Sequence, residues 1–369
     1  MAKLLLTSDL HLGRQFPGVG RAGDIVRKAL KESLEKSVTA ALESSVDLVL
    51  VGGNLFASNL VSRNLIEYVY RQAERLGRIP FIVAPGQADC LDSNSVYRHL
   101  PLESRPDNFF IPGLTHETTL SFPDSEVTLY AIPDLGDSLP QAGWQTPVRT
   151  PHPGAHVLLI GNRAALEQHE SAALSPLVNQ LILKNSFDFY AVGGHAHYRQ
   201  WATNAYSPGA PETLDFDSDQ AGLSLLVEVN GDHVAVDAVP TGELAWKRLQ
   251  LDSTQFLYNI EIERELQKFA GATKLLELRV GGNFVGDGYL DLAALERAQS
   301  DNFCFLRIRD DRQPAAAAAI VATDNGGSLI GEFTALLRDS IDKAPAELRA
   351  KYLEALSTGR ALLSGKDVI

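Results

Sequence analysis

Two short segments of the sequence combine residue types that hold metal ions. Ser8-Asp9-Leu10-His11-Leu12-Gly13 sets a carboxylate and an imidazole one residue apart, and Gly193-Gly194-His195-Ala196-His197 sets two imidazoles at the same spacing. On extended backbone, alternate residues share a face, so each pair directs its side chains to one side. A hard carboxylate oxygen together with imidazole nitrogens suits manganese, iron or zinc, whereas a calcium site would be built from oxygen alone. Either pair by itself is as readily a capping aspartate or a solvent-exposed histidine. Together, and next to Gly-Gly turns, they describe a candidate metal centre.

Something must bring these segments to one place. The N-terminal half alternates short apolar runs with longer periodic ones: strands over 4–7, 47–51 and 80–84, helices over 22–45 and 60–76, strands over 127–132, 156–160 and 187–192, and a helix over 172–184. That alternation marks an α/β layered domain, in which ligands gather at the carboxyl ends of the strands. Ser8-Asp9, Gly52-Gly53-Asn54, Pro85-Gly86-Gln87-Ala88-Asp89, Gly161-Asn162-Arg163 and Gly193-Gly194-His195 all follow such strands. They should therefore meet at one edge.

Beyond Gly194 the pattern turns to β, with strands over 205–210, 222–229 and 233–239, the last two joined by the hairpin signal Asn230-Gly231. The stretch 141–154 reads as a surface loop. A boundary falls near Thr241-Gly242, followed by strands over 245–251, 274–280 and 303–309 with helices over 256–270 and 290–300. Two helices, 328–342 and 345–363, close the chain, with Pro345 near the first position of the second, where a missing N–H costs least. The expected division is 1–243, 244–312 and 313–369.

Composition limits the partners. The chain has 369 residues, 45% hydrophobic and 21% charged, as a globular protein should. Its 33 basic and 46 acidic residues give a net charge of −13, which opposes tight binding of a polyanion through bulk charge, although a local basic groove or a basic partner remains compatible with it. The two cysteines, Cys90 and Cys304, are too far apart in sequence for a CxxC motif, so neither a disulfide framework nor a cysteine zinc site is expected. No stretch reaches the ~20 apolar residues of a membrane span, and Lys3 interrupts the first apolar run too early for a secretory signal. The expected compartment is the cytoplasm.

The set of motifs resembles the calcineurin-like metallophosphoesterases, whose signature runs DxH, GD, GNH(D/E), a lone His and GHxH. Within them it is most similar to the SbcD-type nuclease subunit of double-strand-break repair, which works with an SbcC-type coiled-coil ATPase. The resemblance rests on Ser8 to Gly13, on Tyr190 to Gln200 (YAVGGHAHYRQ) and on Tyr206 to Phe216 (YSPGAPETLDF). It implies a layered α/β metallophosphoesterase sandwich flanked by helices, a small α+β capping domain and a helical C-terminal tail. In that tail Glu332, Phe333 and Leu336 would meet the ATPase. It further implies DNA reached through the complex, is compatible with a homodimer, and involves no membrane.

Several positions depart from the family pattern. Asn54 stands where the family has the aspartate that bridges two metals, Gln87 where an asparagine binds the second metal, Ala88 where a histidine protonates the leaving oxygen, and Gly161 where a lone histidine is a second-metal ligand. Two dications ~4 Å apart repel by about 16 kcal/mol at an effective dielectric near 20, a bare Coulomb figure. A bridging carboxylate offsets that repulsion; a neutral amide does not. The remaining set, Asp9, His11, Asn54, His195 and His197, implies one manganese ion at most.

Two readings follow. In the first, the chain is an SbcD-like subunit with lost or weakened nuclease activity, acting through its ATPase partner. The alternative is an active manganese-dependent phosphodiesterase or nuclease with a single-metal site, in which Asp89 or water replaces the acid whose family position is Ala88. A small-molecule phosphatase is a third and weaker reading. Arg14, Arg63 and Arg199 lie near the ligand edge, and Arg14 and Arg199 are candidate phosphate contacts. Trp144, Trp201 and Trp246 are not interleaved with basic residues and suggest no stacking platform.

Overall fold

Several strands read as unbroken apolar runs because both of their faces are covered. In the computed structural model of the protein, residues 1–114, 117–135, 147–161, 180, 182–184, 186–194, 197–217, 222–231, 233–256, 258–284, 290–314 and 329–363 are described. The first unit spans Met1–Trp246 and the second Lys247–Ile369.

The first unit holds two six-stranded sheets. One has the order β12-β11-β1-β2-β3-β4, formed by β1 (Ala2–Thr7), β2 (Leu48–Gly52), β3 (Phe81–Ala84), β4 (Phe109–Phe110), β11 (Leu223–Asn230) and β12 (His233–Pro240). The other has the order β5-β6-β7-β8-β10-β9, formed by β5 (Thr119–Phe122), β6 (Val127–Ile132), β7 (Ala155–Ile160), β8 (Phe189–Val192), β9 (Arg199–Ala202) and β10 (Ala205–Ser207). In the first sheet the parallel run β1-β2-β3-β4 is extended on one side by antiparallel β11 and β12, and in the second the parallel run β6-β7-β8-β10 is flanked by antiparallel β5 and β9.

The period of two along these strands builds a core between the sheets. Leu4, Leu6, Leu48, Leu50 and Ile82 of the first sheet belong to one cluster with Leu129, Val157, Leu159, Phe189 and Ala191 of the second. Helix α1 (Ala22–Glu43) buries Val26, Leu30, Leu34, Val38 and Ala41, an apolar stripe at helical spacing. Helix α2 (Arg63–Arg75) is tied to α1 by the Tyr68 hydroxyl, which donates to the Lys31 carbonyl at 2.6 Å. The layered α/β sandwich flanked by helices that the sequence predicts is thus present.

The second unit contains a three-stranded sheet of order β13-β14-β16, from β13 (Ala245–Asp252), β14 (Gly271–Gly281) and β16 (Phe303–Asp310), and a two-residue pair, β15 (Asn283–Phe284) with β17 (Gln313–Pro314). One sheet face packs on the helices Asn259–Gln267 and Leu292–Gln299, through Ile262, Leu266, Leu276, Leu278, Val280, Leu292 and Leu295. Helices Leu329–Lys343 and Ala346–Leu363 follow, with Thr334, Ile341 and Leu356 buried. Among the described residues no helix is long and apolar enough to cross a membrane.

The Asn230-Gly231 hairpin forms as expected, with Asn230 opposite His233. β4, β5 and β9 were not predicted. β4 has two residues and β5 is a partly exposed edge strand, so neither carries a usable period. Most of the helix expected over 172–184, and the first part of the loop expected over 141–154, lie outside the described residues.

Candidate functional site

The strand ends do converge. Past β1 and β2 the chain continues as two adjacent segments held by backbone hydrogen bonds: Asp9 N–H donates to the Gly53 carbonyl at 3.0 Å, His11 N–H to Asn54 at 2.9 Å and Leu12 N–H to Leu55 at 3.0 Å. Asp9, His11 and Asn54 adopt φ of 55°, 44° and 53°, a left-handed conformation that is uncommon without glycine. Backbone held in sparsely populated regions clusters at functional sites, where the surrounding structure must enforce it. Here the two segments enforce it on each other.

The side chains of this corner close on one another. Asp9 is 4% exposed and Asn54 5%. Asn54 Nδ2 donates to Asp9 Oδ1 at 2.7 Å, while Asn54 Oδ1 accepts from the Ala88 N–H at 2.8 Å. A carboxylate only accepts and a backbone N–H only donates, so this pairing fixes the orientation of the amide. The second oxygen of Asp9 accepts from the Ser8 hydroxyl at 2.8 Å. His11 Nε2 stands 3.6 Å from Asp9 Oδ1 and remains partly exposed. The amide N–H of Asn54 thus supplies partial positive charge to the carboxylate that heads the DxH motif, and an aspartate at 54 could not donate there.

Asp89 braces the loop after β3. It is fully buried; Oδ1 accepts from the Gly86 N–H at 2.8 Å and Oδ2 accepts from the Phe56 N–H at 2.9 Å and the Tyr97 hydroxyl at 2.6 Å. Burial pushes its carboxyl above the usual range, against these three hydrogen bonds. With no exposed surface and both oxygens engaged, Asp89 does not stand as the replacement acid considered from the sequence. It holds the loop that carries Gln87 and Ala88.

Glycines let the two sheets meet backbone to backbone at this edge. A Cβ on Gly193 would fall on the Gly52 carbonyl, and one on Gly86 would fall on the Asn54 backbone and amide. At Gly161, where the family resemblance places a histidine, a Cβ would lie 2.5 Å from the Pro85 carbonyl oxygen and 3.0 Å from that of Ala84. Main chain fills the space that a side chain at 161 would need.

The other predicted site residues have varied surroundings. His195, Asn162 and His169 lie outside the described residues. His197 is partly buried just after β8, and Gln87 is exposed. The Arg14 guanidinium lies 5.4 Å from the Phe16 ring centroid and that of Arg199 lies 4.0 Å from the Trp201 centroid, so both candidate phosphate contacts are packed on aromatic faces. Arg63 pairs with Glu67 at 2.8 Å. His156 sits at the start of β7, buried, with Nδ1 2.9 Å from the Tyr130 hydroxyl. In the tail, Glu332 and Leu336 are exposed while Phe333 lies against Gly359 of the following helix. Ser8, beside the DxH motif, and Tyr97, in the segment after Asp89, complete the network, and neither carried a signal of its own role in the sequence.

Among the described residues no group of three or more His, Cys, Asp or Glu side chains is placed to hold a metal ion. Each oxygen of Asp9 accepts one protein hydrogen bond, which leaves further lone pairs on the carboxylate, and His195 lies outside the residues so considered. At two positions the residues present differ from what a two-metal centre of the resembling family would require: a neutral amide, Asn54, faces Asp9, and main chain fills the space around Gly161.

No family model and no curated protein matches the chain. Solved structures similar to it include TT1561 of Thermus thermophilus, 16% identical with a TM-score of 0.40, covering 64% of this chain and 98% of that one. A novel archaeal phosphodiesterase is 13% identical with a TM-score of 0.33, covering 64% and 99%. GAP50, the anchor in the inner membrane complex of Plasmodium, is 11% identical with a TM-score of 0.38, covering 65% and 84%.

Proposed function

We propose that the chain is an SbcD-like subunit of a cytoplasmic DNA repair or genome-maintenance complex, with lost or weakened nuclease activity, that acts by assembling with an SbcC-type coiled-coil ATPase. The observation that carries this reading is the hydrogen-bonded corner at Asp9. Its carboxylate takes donors from Asn54 and Ser8, and the Asn54 carbonyl takes the Ala88 N–H. A hydrolytic centre needs that carboxylate and the position of Ala88 for metal binding and proton transfer, and loss of general acid catalysis alone costs ~10² to 10⁴-fold. Supporting the assembly role, the tail exposes Leu336 beside Glu332 on one helix.

Two measurements test it. Protein purified without chelator should carry no stoichiometric manganese by mass spectrometry and should not hydrolyse DNA or a model phosphodiester. Manganese-dependent hydrolysis abolished by Asp9→Ala would instead establish the active single-metal reading. Co-purification with a coiled-coil ATPase should be lost on deleting 328–369, and a complex that survives the deletion would remove the docking claim.

A further inference from the structure

The first sheet has an open edge at β12. This strand, His233–Pro240, ends the order β12-β11-β1-β2-β3-β4, and among the described residues it pairs only with β11. None of its eight residues is buried: Val234, Val236 and Val239 are half-buried and the rest are exposed. Such an edge presents a row of unpaired N–H and C=O groups, which natural sheets blunt with lysine, interior proline or a bulge. β12 has none of these. Its register with β11 runs unbroken from His233 opposite Asn230 to Pro240 opposite Leu223, its proline is the last residue, and Asp237 is its one carboxylate.

The ladder decides which groups face out. In an antiparallel pair, residues that exchange hydrogen bonds with the neighbour alternate with residues that turn their N–H and C=O away. Thr241 N–H donates inward to the Gly222 carbonyl at 2.8 Å, and Pro240 beside it has no N–H to give. Counting back by twos, Val239, Asp237, Ala235 and His233 bond β11, while Ala238, Val236 and Val234 direct their N–H and C=O outward. That outward set is centred on Val236. An antiparallel copy of the same strand then sets Val236 against Val236, and Val234 against Ala238 in both directions, so each outward donor meets an outward acceptor and Pro240 lies beyond the pairing. Moving the axis to Ala238 would set Val236 against Pro240, which has no donor.

Charge fits the same register. Asp237 falls opposite Ala235 and His233 opposite Val239, so no like charges stand directly across from each other, and the central pair is β-branched on both sides.

We infer that β12 is a self-association edge: two copies of this chain pair antiparallel through β12 about Val236 and join their first sheets into one. The contact is a strip of backbone hydrogen bonds instead of a broad apolar patch, so the dimer is a weak one. Each copy carries a net charge of −13, and added salt, by screening that repulsion, tightens the association. The inference concerns the first unit alone and stands whichever reading of the strand-end site holds.

The test follows the full chain by sedimentation velocity from micromolar to submillimolar concentration at moderate salt, where a monomer–dimer equilibrium is expected. Ala238→Pro removes an outward N–H and leaves the β11 ladder intact, since an edge strand accepts proline where the N–H faces solvent. It should weaken the dimer by about tenfold or more, because the lost hydrogen bond occurs twice by symmetry. Ala235→Asp places a second carboxylate opposite Asp237 and should weaken it by about fivefold; adding Asp237→Lys turns both contacts into opposite charges and should restore it. In the unsubstituted protein the amides of Val234, Val236 and Ala238 should exchange freely when dilute and slowly when concentrated, with Ala235 and Asp237 protected throughout, a readout that does not depend on a variant folding. A chain that stays monomeric, which would leave the edge to an extended segment of another protein or to nothing, overturns the inference. So does a dimer indifferent to Ala238→Pro, which would lie on another surface, or a loss in Ala235→Asp that Asp237→Lys does not repair, which would break the register.

Discussion

Asn54 shows how one atom changes the chemistry of a site. An aspartate there would set two carboxylates at hydrogen-bond distance, whereas the amide donates to Asp9 on one side and accepts from Ala88 on the other. Asn54→Ala should cost about 1–3 kcal/mol in a denaturant melt, because it strips a donor from a buried carboxylate and an acceptor from a backbone N–H. Asn54→Asp should be worse at pH 8 than at pH 5. Two adjacent carboxylates raise the pKa of the pair above its unfolded value, so the deficit grows as pH rises through that raised value. A variant equally stable at both pH values would show that the side chain at 54 does not approach Asp9. The residue types of this corner were legible in the sequence. What was not legible is that Asn54, there a candidate metal ligand, hydrogen-bonds Asp9, because a hydrogen-bonding partner is set by distance and direction that no spacing records.

Among the elements, the long buried strands were the most legible. Val127–Ile132 was predicted to the residue, and β2 and β3 to within one, because strands covered on both faces are continuous apolar runs between polar turns. The two-residue β4 has no period to read, and the ion pairs of Glu277 with Arg248, Arg279, Arg307 and Arg309 went unread because their members come from three strands separated by helices. The sandwich edge is defined by backbone contact: Gly193→Ala would place a methyl group on the Gly52 carbonyl and should cost more than about 3 kcal/mol or prevent folding of the first unit, measured by urea denaturation. In the second unit, burial alone would raise the Glu277 carboxyl, but the hydrogen bond from Arg248 and the charges of Arg309, Arg248 and Arg279 carry it below its usual value. A depressed carboxylate contributes stability that is complete above its unfolded pKa and is lost as pH falls through the folded one. The second unit should therefore lose stability as pH falls below the ordinary glutamate value near 4.5, and Glu277→Gln should flatten that part of a pH–stability profile.

For the whole molecule, the governing field is that of a net charge of −13. The sequence pI is about 5.2, so lowering pH from 8 to 6 reduces the negative field while the guanidiniums stay charged. Any affinity of the chain for an oligonucleotide, measured at constant ionic strength, should rise over that interval, and the rise should vanish near 1 M salt, where the Debye length is about 3 Å. An affinity independent of pH would mean that the rest of the surface does not act on the bound strand.

The packing at Gly161 also bears on ancestry. If the chain descends from an enzyme with the full ligand set, substitution of Asn54 and Ala88 back to the ancestral residues is a matter of two codons, but position 161 is different in kind. A side chain there meets the Pro85 carbonyl oxygen at 2.5 Å, so its restoration requires the β3 turn to move first. Each step toward recovery would then lower stability before any activity returned for selection to favour. The backbone at this turn would then work as a ratchet.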